Sequence, residues 1–264
     1  MSILLGLRHA SAGSATVLGL DPIAEGARLR ALVGYGPERN VLPEDMPASD
    51  FVKHFAEVRG MPRDEARGRA SDALWLVGLG EERFRALGTM STGQRQRVKL
   101  AQAIAADPSL VFLDEPTDGL DPVQRDEMLT LIRQISNEYG IDVLLSSHLL
   151  EEVERICDNV VALDAGRLVA HGSLADLVGN DEGVTVELVE VDDRPDATAA
   201  VLARLRELGL DVRPHDRSTA FDVVAADADL VADAVRDAVA DAGARIGKVV
   251  RRRRRLEDLF QGAG

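Results

Sequence analysis

Cysteine and lysine are almost missing from these 264 residues: one cysteine, Cys157, and three lysines, Lys53, Lys99 and Lys248. A single cysteine excludes an internal disulfide and suits a reducing compartment. Arginine therefore supplies nearly all of the 31 basic residues, which face 45 acidic ones, for a net charge of -14 and a sequence pI of about 4.8. So acidic a chain is a poor main partner for nucleic acid, because a phosphate backbone rewards a basic surface. An acidic surplus with few lysines fits a salty cytoplasm, but fits better an arginine- and alanine-rich coding bias. The run Arg251 to Arg255 reads as a solvated strand end rather than a nucleic-acid patch. No apolar stretch approaches the roughly 18 residues of a membrane helix. The apolar opening is too short for a secretion signal and has no basic segment before it. What is present, 45% hydrophobic and 29% charged residues, describes an ordinary globular chain. Its length suits one large domain, or one domain plus a smaller one.

Short apolar runs alternate with amphipathic segments, the pattern of an α/β fold. Strands are expected at Ala15–Leu18, Ala31–Tyr35, Leu110–Leu113, Val143–Ser146, Val160–Leu163 and Arg167–Ala170. From about Met46 to Ala105 the strand signals stop. Val52, Phe55, Ala56 and Val58 suggest one helical face there, and Ala70, Ala73, Leu74 and Val77 another. That predicts a helical subdomain, residues 46–105, inserted into an α/β domain spanning 1–178. Ser173 to Asp176 reads as a capping box, and Gly179 to Gly183 as a linker. Strands at Val184–Val191, near Leu210–Arg213, at Ala220–Val224 and at Ile246–Val250, with helices at Ala197–Leu208 and Leu230–Ala242, predict a separate small α/β domain over 184–264.

The chemistry concentrates in MSTGQRQRVKLAQAIAADPSLVFLDEPTDGLDP, which starts at Met90. A buried strand ends in two carboxylates, Asp114 and Glu115, at the end of a parallel strand where open α/β sheets bind ligands. Asp114 suits a hard cation such as Mg²⁺, and Glu115 suits a general base acting on water. Strands also end in acidic turns for purely structural reasons. Ser91 can cap a helix whose Gly93 lets another backbone approach, and a helix start is an anion site; an ordinary capped helix reads the same way. His148 follows Leu144-Leu-Ser-Ser147 at another strand end, where a lone histidine is more often a satisfied polar residue.

In this order and spacing the pieces resemble the ATP-binding-cassette (ABC) ATPases, a P-loop NTPase fold. MSTGQ resembles the family's signature motif and opens its helix. LVFLDEPTDGLDP resembles the Walker B strand followed by the D-loop, with Asp121 in the latter. SSHLLEEVERICDNVVALDAGRLVAHGSL resembles the switch-histidine segment and two following strands. Val33 to Glu38 matches the Q-loop, with Glu38 where most members carry Gln. The likeness runs from about Ser2 to Leu177. It implies ATP and Mg²⁺ as cofactors, Asp114 on the metal, Glu115 as general base, His148 at the γ-phosphate and Asp121 linking two active sites. It also implies that Ser91, Gly93 and Gln94 grip nucleotide bound to the opposite subunit of a head-to-tail dimer.

The family's P-loop motif, G-x-x-x-x-G-K-[ST], is not in this sequence; its only Gly-Lys pair is Gly247-Lys248. Ser2 to Gly13 resembles the end of the helix that the P-loop opens. The expectation is therefore a fragment or misplaced start, binding ATP poorly by itself, rather than a degenerate cassette. The resemblance implies an ATP-hydrolysing subunit that couples hydrolysis to solute transport through separate membrane permease subunits. It would lie peripherally on the cytoplasmic face of the membrane. The appended domain and the closing Leu256 to Phe260 resemble exporter-type subunits of the ABC-2 kind. The alternatives are a soluble, non-transport ABC ATPase and a non-catalytic regulatory cassette.

Overall fold

The computed structural model describes residues 1–38, 42–178, 182–189, 197–215, 219–225, 228–253 and 256. They form two compact units, Met1–Glu152 and Val153–Gly264. The expected division near 178 thus lies inside the second unit, and it is carried forward below as a proposal.

The first unit is built on three parallel strands in the order β1 (Val33–Gly36), β2 (Leu110–Asp114) and β3 (Asp142–Ser146). Helix α1 (Gly26–Leu32) precedes β1, and α5 (Pro122–Tyr139) joins β2 to β3. Val111, Phe112 and Leu113 are buried on both faces of the sheet, as a parallel strand requires. Leu144 of β3 remains 39% exposed. Two expected elements differ. Residues 15–18 contribute only an isolated bridge between Val17 and Leu20, and residues 31–32 close α1 before the strand starts. The opening apolar run is a set of turns rather than a helix, although Leu5 is buried against Val17, Leu29, Val33 and Phe112.

Helices α2 (Ala48–Val58), α3 (Arg63–Leu76) and α4 (Thr92–Ile104) form the inserted helical layer. In α3 the expected apolar positions Ala70, Ala73 and Leu74, with Val77 just beyond, are all buried. In α2 the buried face is Ala48, Phe51, Val52 and Ala56, while Phe55 and Val58 stay exposed. Apolar spacing at i, i+3 and i+4 fits two overlapping stripes here, and only packing on α3 and α4 selects one. Helix α4 rests directly on β1: a Cβ on Gly34 would overlap the carbonyl oxygen of Ala103.

The second unit takes in the end of α6 (Leu150–Ile156), the antiparallel pair β4 (Asn159–Asp164) and β5 (Arg167–Ser173), and α7 (Leu174–Val178). Ser173 Oγ accepts from the Asp176 N–H at 3.1 Å, as the capping pattern predicted. Then come β6 (Glu182–Val189), α8 (Ala197–Glu207), β7 (Asp211–Pro214), β8 (Ala220–Ala225), α9 (Ala228–Asp241) and β9 (Arg245–Arg253). The antiparallel order β7-β8-β6-β9 with this βαββαβ sequence is the split-βαβ, ferredoxin-like arrangement. Its core draws on Val184, Val186, Val201, Leu205, Phe221, Val223, Val231 and Val235. The arginine run continues β9 as far as Arg253. Arg254, Arg255 and the residues 257–260 of the closing motif lie outside the described residues, as do 179–181 of the expected linker.

Candidate functional site

The parallel register places Asp114 beside Ser146, so the carboxyl ends of β2 and β3 meet. Ser146 Oγ donates to Asp114 Oδ1 at 2.6 Å. Tyr35 of β1 lies near Asp114 on the other side. Burial, and the negative charges of Asp114 and Glu38, push the Tyr35 hydroxyl above its ordinary pKa. Asp114 thus has a hydroxyl on the strand at either side, with that of Ser146 donating to it. Glu115, the next residue, has φ of 48°, a left-handed conformation costly for a side chain with a Cβ. Its N–H is engaged by the carbonyl and the Oγ of Ser146, both at 3.2 Å, which pins the strained residue. The strain turns Glu115 away from the strand direction, and its Oε2 lies 2.9 Å from Nδ1 of His148. The adjacent carboxylates Asp114 and Glu115 and the histidine read at another strand end are therefore one cluster.

Ser91, Gly93, Gln94 and Asp121 make a second group in the same unit. Ser91 Oγ accepts from the Gln94 N–H at 3.2 Å, while Gln94 Oε1 accepts from the Ser91 N–H at 3.1 Å, a complete capping box. Gly93 is buried, and a Cβ there would stand 2.7 Å from Gln124 Oε1 of α5. Asp121 caps α5, its Oδ1 accepting from the Gln124 N–H at 2.9 Å. The loop between β2 and α5 is tied back to α4, because Gln96 Nε2 donates to the Asp118 carbonyl at 2.9 Å.

Glu38 is exposed just past β1. Its carbonyl and that of Pro37 accept from Lys99 Nζ of α4, at 3.0 and 2.7 Å. Lys99 is almost fully buried, and that burial lowers its pKa to about 8 against the upward pull of Asp118, Glu38 and Asp114. Sequence reasoning missed Lys99, Tyr35 and Ser146. A lone lysine in an apolar helix face was the one available signal for the first.

Beside this region lies a cavity of about 510 Å³, whose lining includes Leu7, Phe51, Phe55, Arg30, Arg59 and Lys99. Nη1 of Arg59 is buried with no hydrogen-bond partner among the described residues. The exposed apolar residues of α2 find their place here. Among the described residues no three His, Cys, Asp or Glu side chains converge as a metal cage, and no helix is long and apolar enough to cross a membrane.

The sequence of residues 1–118 matches the family model described as ABC transporter. The linearmycin resistance ATP-binding protein LnrL of Bacillus subtilis is 30% identical over 231 residues, 88% of this chain and 74% of that protein. An uncharacterised ABC transporter ATP-binding protein of Synechocystis is 38% identical over 190 residues, 71% of this chain. The match spans only about half, 53%, of that relative's length. Among solved structures, an ATP-binding cassette captured as a dimer in a post-hydrolysis state with ADP and Pi superposes with a TM-score of 0.59. That superposition is at 21% identity and covers 66% of this chain and 78% of that one. This chain belongs to the ATP-binding proteins of ABC transporters, a family of ATP-hydrolysing cassettes built on the P-loop NTPase fold.

Proposed function

We propose that this protein is the nucleotide-binding subunit of a transporter, coupling ATP hydrolysis to solute movement, by export, through separate membrane-embedded subunits. One observation carries the catalytic part: His148 Nδ1 stands 2.9 Å from Glu115 Oε2, directly beside Asp114 at the carboxyl ends of two parallel strands. In this reading Glu115 takes the proton of the attacking water. His148 orients that carboxylate and presents the rest of its ring toward the γ-phosphate. Asp114, with the adjoining Ser146 hydroxyl, offers the hard oxygen donors that suit Mg²⁺, which usually takes one or two protein carboxylates and completes its shell from phosphates and water. The ion's contribution when bound is to neutralise charge on the β- and γ-phosphates.

Ser91, Gly93, Gln94 and Asp121 are assigned to the face that meets a second subunit head to tail. The capping box commits the Ser91 and Gln94 side chains to shaping the start of α4, so this face acts through backbone N–H groups and a positive helix end. The relation to dimeric cassettes supports this assignment. For the membrane subunits, the 510 Å³ cavity supports an apolar partner segment bearing a carboxylate, since Arg30, Arg59 and Lys99 line it in an otherwise acidic chain. The protein would then sit on the cytoplasmic face of the membrane, held by that partner.

Glu115→Gln tests the catalytic reading. In a chain joined to a P-loop segment, turnover should fall by roughly 10²–10⁴-fold while nucleotide affinity holds, because the carboxylate acts on water only during reaction. Nucleotide-loaded dimers should accumulate on size exclusion. Steady-state hydrolysis surviving within a few-fold of wild type would remove Glu115 from the role.

A further inference from the structure

The first unit contains a buried carboxylate that the reading above does not use. Glu152, early in α6, is 3% exposed. An unpaired carboxylate so buried would be costly, and this one is fully engaged. Thr117 Oγ1 donates to its two oxygens, at 2.7 and 2.8 Å, and Ser147 Oγ donates to Oε2 at 2.7 Å. Arg125 Nε of α5 lies 3.3 Å from Oε1 as an ion pair, without hydrogen-bond alignment. The two hydroxyls are not arbitrary neighbours. Thr117 is two residues after Glu115 on the loop leaving β2, and Ser147 immediately precedes His148 on the loop leaving β3. Ser147 Oγ also accepts from the Leu149 N–H at 3.0 Å, which fixes the bend that carries the histidine.

We propose that Glu152 is a positioning residue for the Glu115–His148 pair. By accepting from Thr117 and Ser147 together, its carboxylate sets the distance between the two strand-end loops and so holds the base and the histidine in contact. Two geometric facts make such a clamp necessary. Glu115 occupies a left-handed conformation that relaxes unless its surroundings hold it. His148 is 66% exposed, which leaves little of its ring to be oriented by packing. A carboxylate can do this where an amide cannot do so fully, because only a carboxylate presents two acceptor oxygens. The inference rests on the catalytic assignment of Glu115 and His148 made above.

The test reads the histidine directly and needs no nucleotide. Ring-¹⁵N-labelled protein is compared as wild type, Glu152→Ala, the near-isosteric Glu152→Gln and the pair Thr117→Val/Ser147→Ala. The His148 signal is assigned by its loss in His148→Gln. Glu115→Gln supplies the spectrum of a histidine without its carboxylate partner. The expected result is that Glu152→Ala and the paired hydroxyl variant move the His148 ring nitrogens to the Glu115→Gln position, with Glu152→Gln between. Should the alanine variant fail to fold, the glutamine and hydroxyl variants decide. A folded variant whose melting point drops while the His148 signal stays at its wild-type position overturns the proposal, since that is the behaviour of a merely structural residue. In turnover, Glu152→Ala should lower kcat roughly 10–100-fold, the scale of small misplacements around a reacting centre, with KM held within about twofold. If Glu115→Gln abolishes hydrolysis and the Glu152 variants turn over at the wild-type rate, this inference fails and the catalytic reading stands. If the wild type joined to a P-loop segment binds ATP but does not hydrolyse it, the catalytic reading fails and the ring-nitrogen result alone judges the clamp.

Discussion

Asp114 and Lys99 show how far a residue's neighbours decide its role. Asp114 accepts from the Ser146 hydroxyl and faces that of Tyr35, which leaves it lone pairs for a cation. Asp114→Asn should therefore weaken nucleotide binding roughly ten- to a hundred-fold in magnesium, the scale of losses around metal sites, and change little in EDTA. Calorimetric titration with ATP under both conditions checks it. Equal losses in the two would show a structural effect instead. Lys99 makes a pH prediction. Burial depresses its pKa to about 8 in the folded protein, against 10.5 as the ordinary value. Between those values the unfolded chain binds more protons than the folded one, so stability from this group rises with pH across that window. Below about 8 the full cost of burying the charge is present. Urea midpoints of wild type and Lys99→Met, compared near neutral pH and near pH 9.5, should show the wild type gaining relative to the variant as pH rises. A constant difference would mean that Lys99 stays charged.

At the scale of elements, α4 carries most of the organisation. Its cap orders the Ser91 turn, its middle contacts the loop after β2 through Gln96, and its last turns lie on β1. Ser91→Ala removes the hydroxyl half of the capping box and should cost about 1 kcal/mol, within the usual 0.5–2 for such caps. Gly34→Ala inserts a methyl where the Ala103 carbonyl already stands. Backbone cannot swing aside as a side-chain tip can, so α4 must lift from the sheet, at about 1–3 kcal/mol. Thermal melts of both variants check the order, with Gly34→Ala the more damaging. A silent Gly34→Ala would mean that α4 is not seated on β1.

At the scale of the whole chain, we propose that residues from about 184 onward form an autonomous domain. Every residue of the buried cluster from Val184 to Val239 comes from that stretch, so its core closes without help from earlier elements. Leu256 is a complication. It is buried, and its N–H donates to Glu154 Oε1 at 2.5 Å, which ties it to the end of α6 within the C-terminal unit. A chain ending at Asn180 should still show the first unit's calorimetric transition, shifted by no more than the ~2–4 °C that corresponds to about 1 kcal/mol in a domain of this size. Loss of the transition would show that the C-terminal residues are integral to the first unit.

The amino-acid order by itself determined the signature segment, the Asp114–Glu115 strand end, the histidine after the next strand and the βαββαβ sequence of the second half. Each is a local pattern, carried by apolar periodicity and by polar residues at strand and helix ends. The opening run read as a helix, and α2 read with Phe55 and Val58 beside the buried Val52 and Ala56, for the opposite reason. Short apolar runs support several local structures, and only the partner surface chooses among them. Tertiary structure alone decided that Glu115 and His148 stand in hydrogen-bond contact, that Ser146 holds Asp114, that Lys99 fastens the loop of Glu38, and that Glu152 spans two strand-end loops. Those contacts join residues up to 62 positions apart in sequence, counted from Pro37 to Lys99. They depend on parallel strand register, which sets the alignment of neighbouring strand ends through hydrogen bonds that no short stretch of sequence contains.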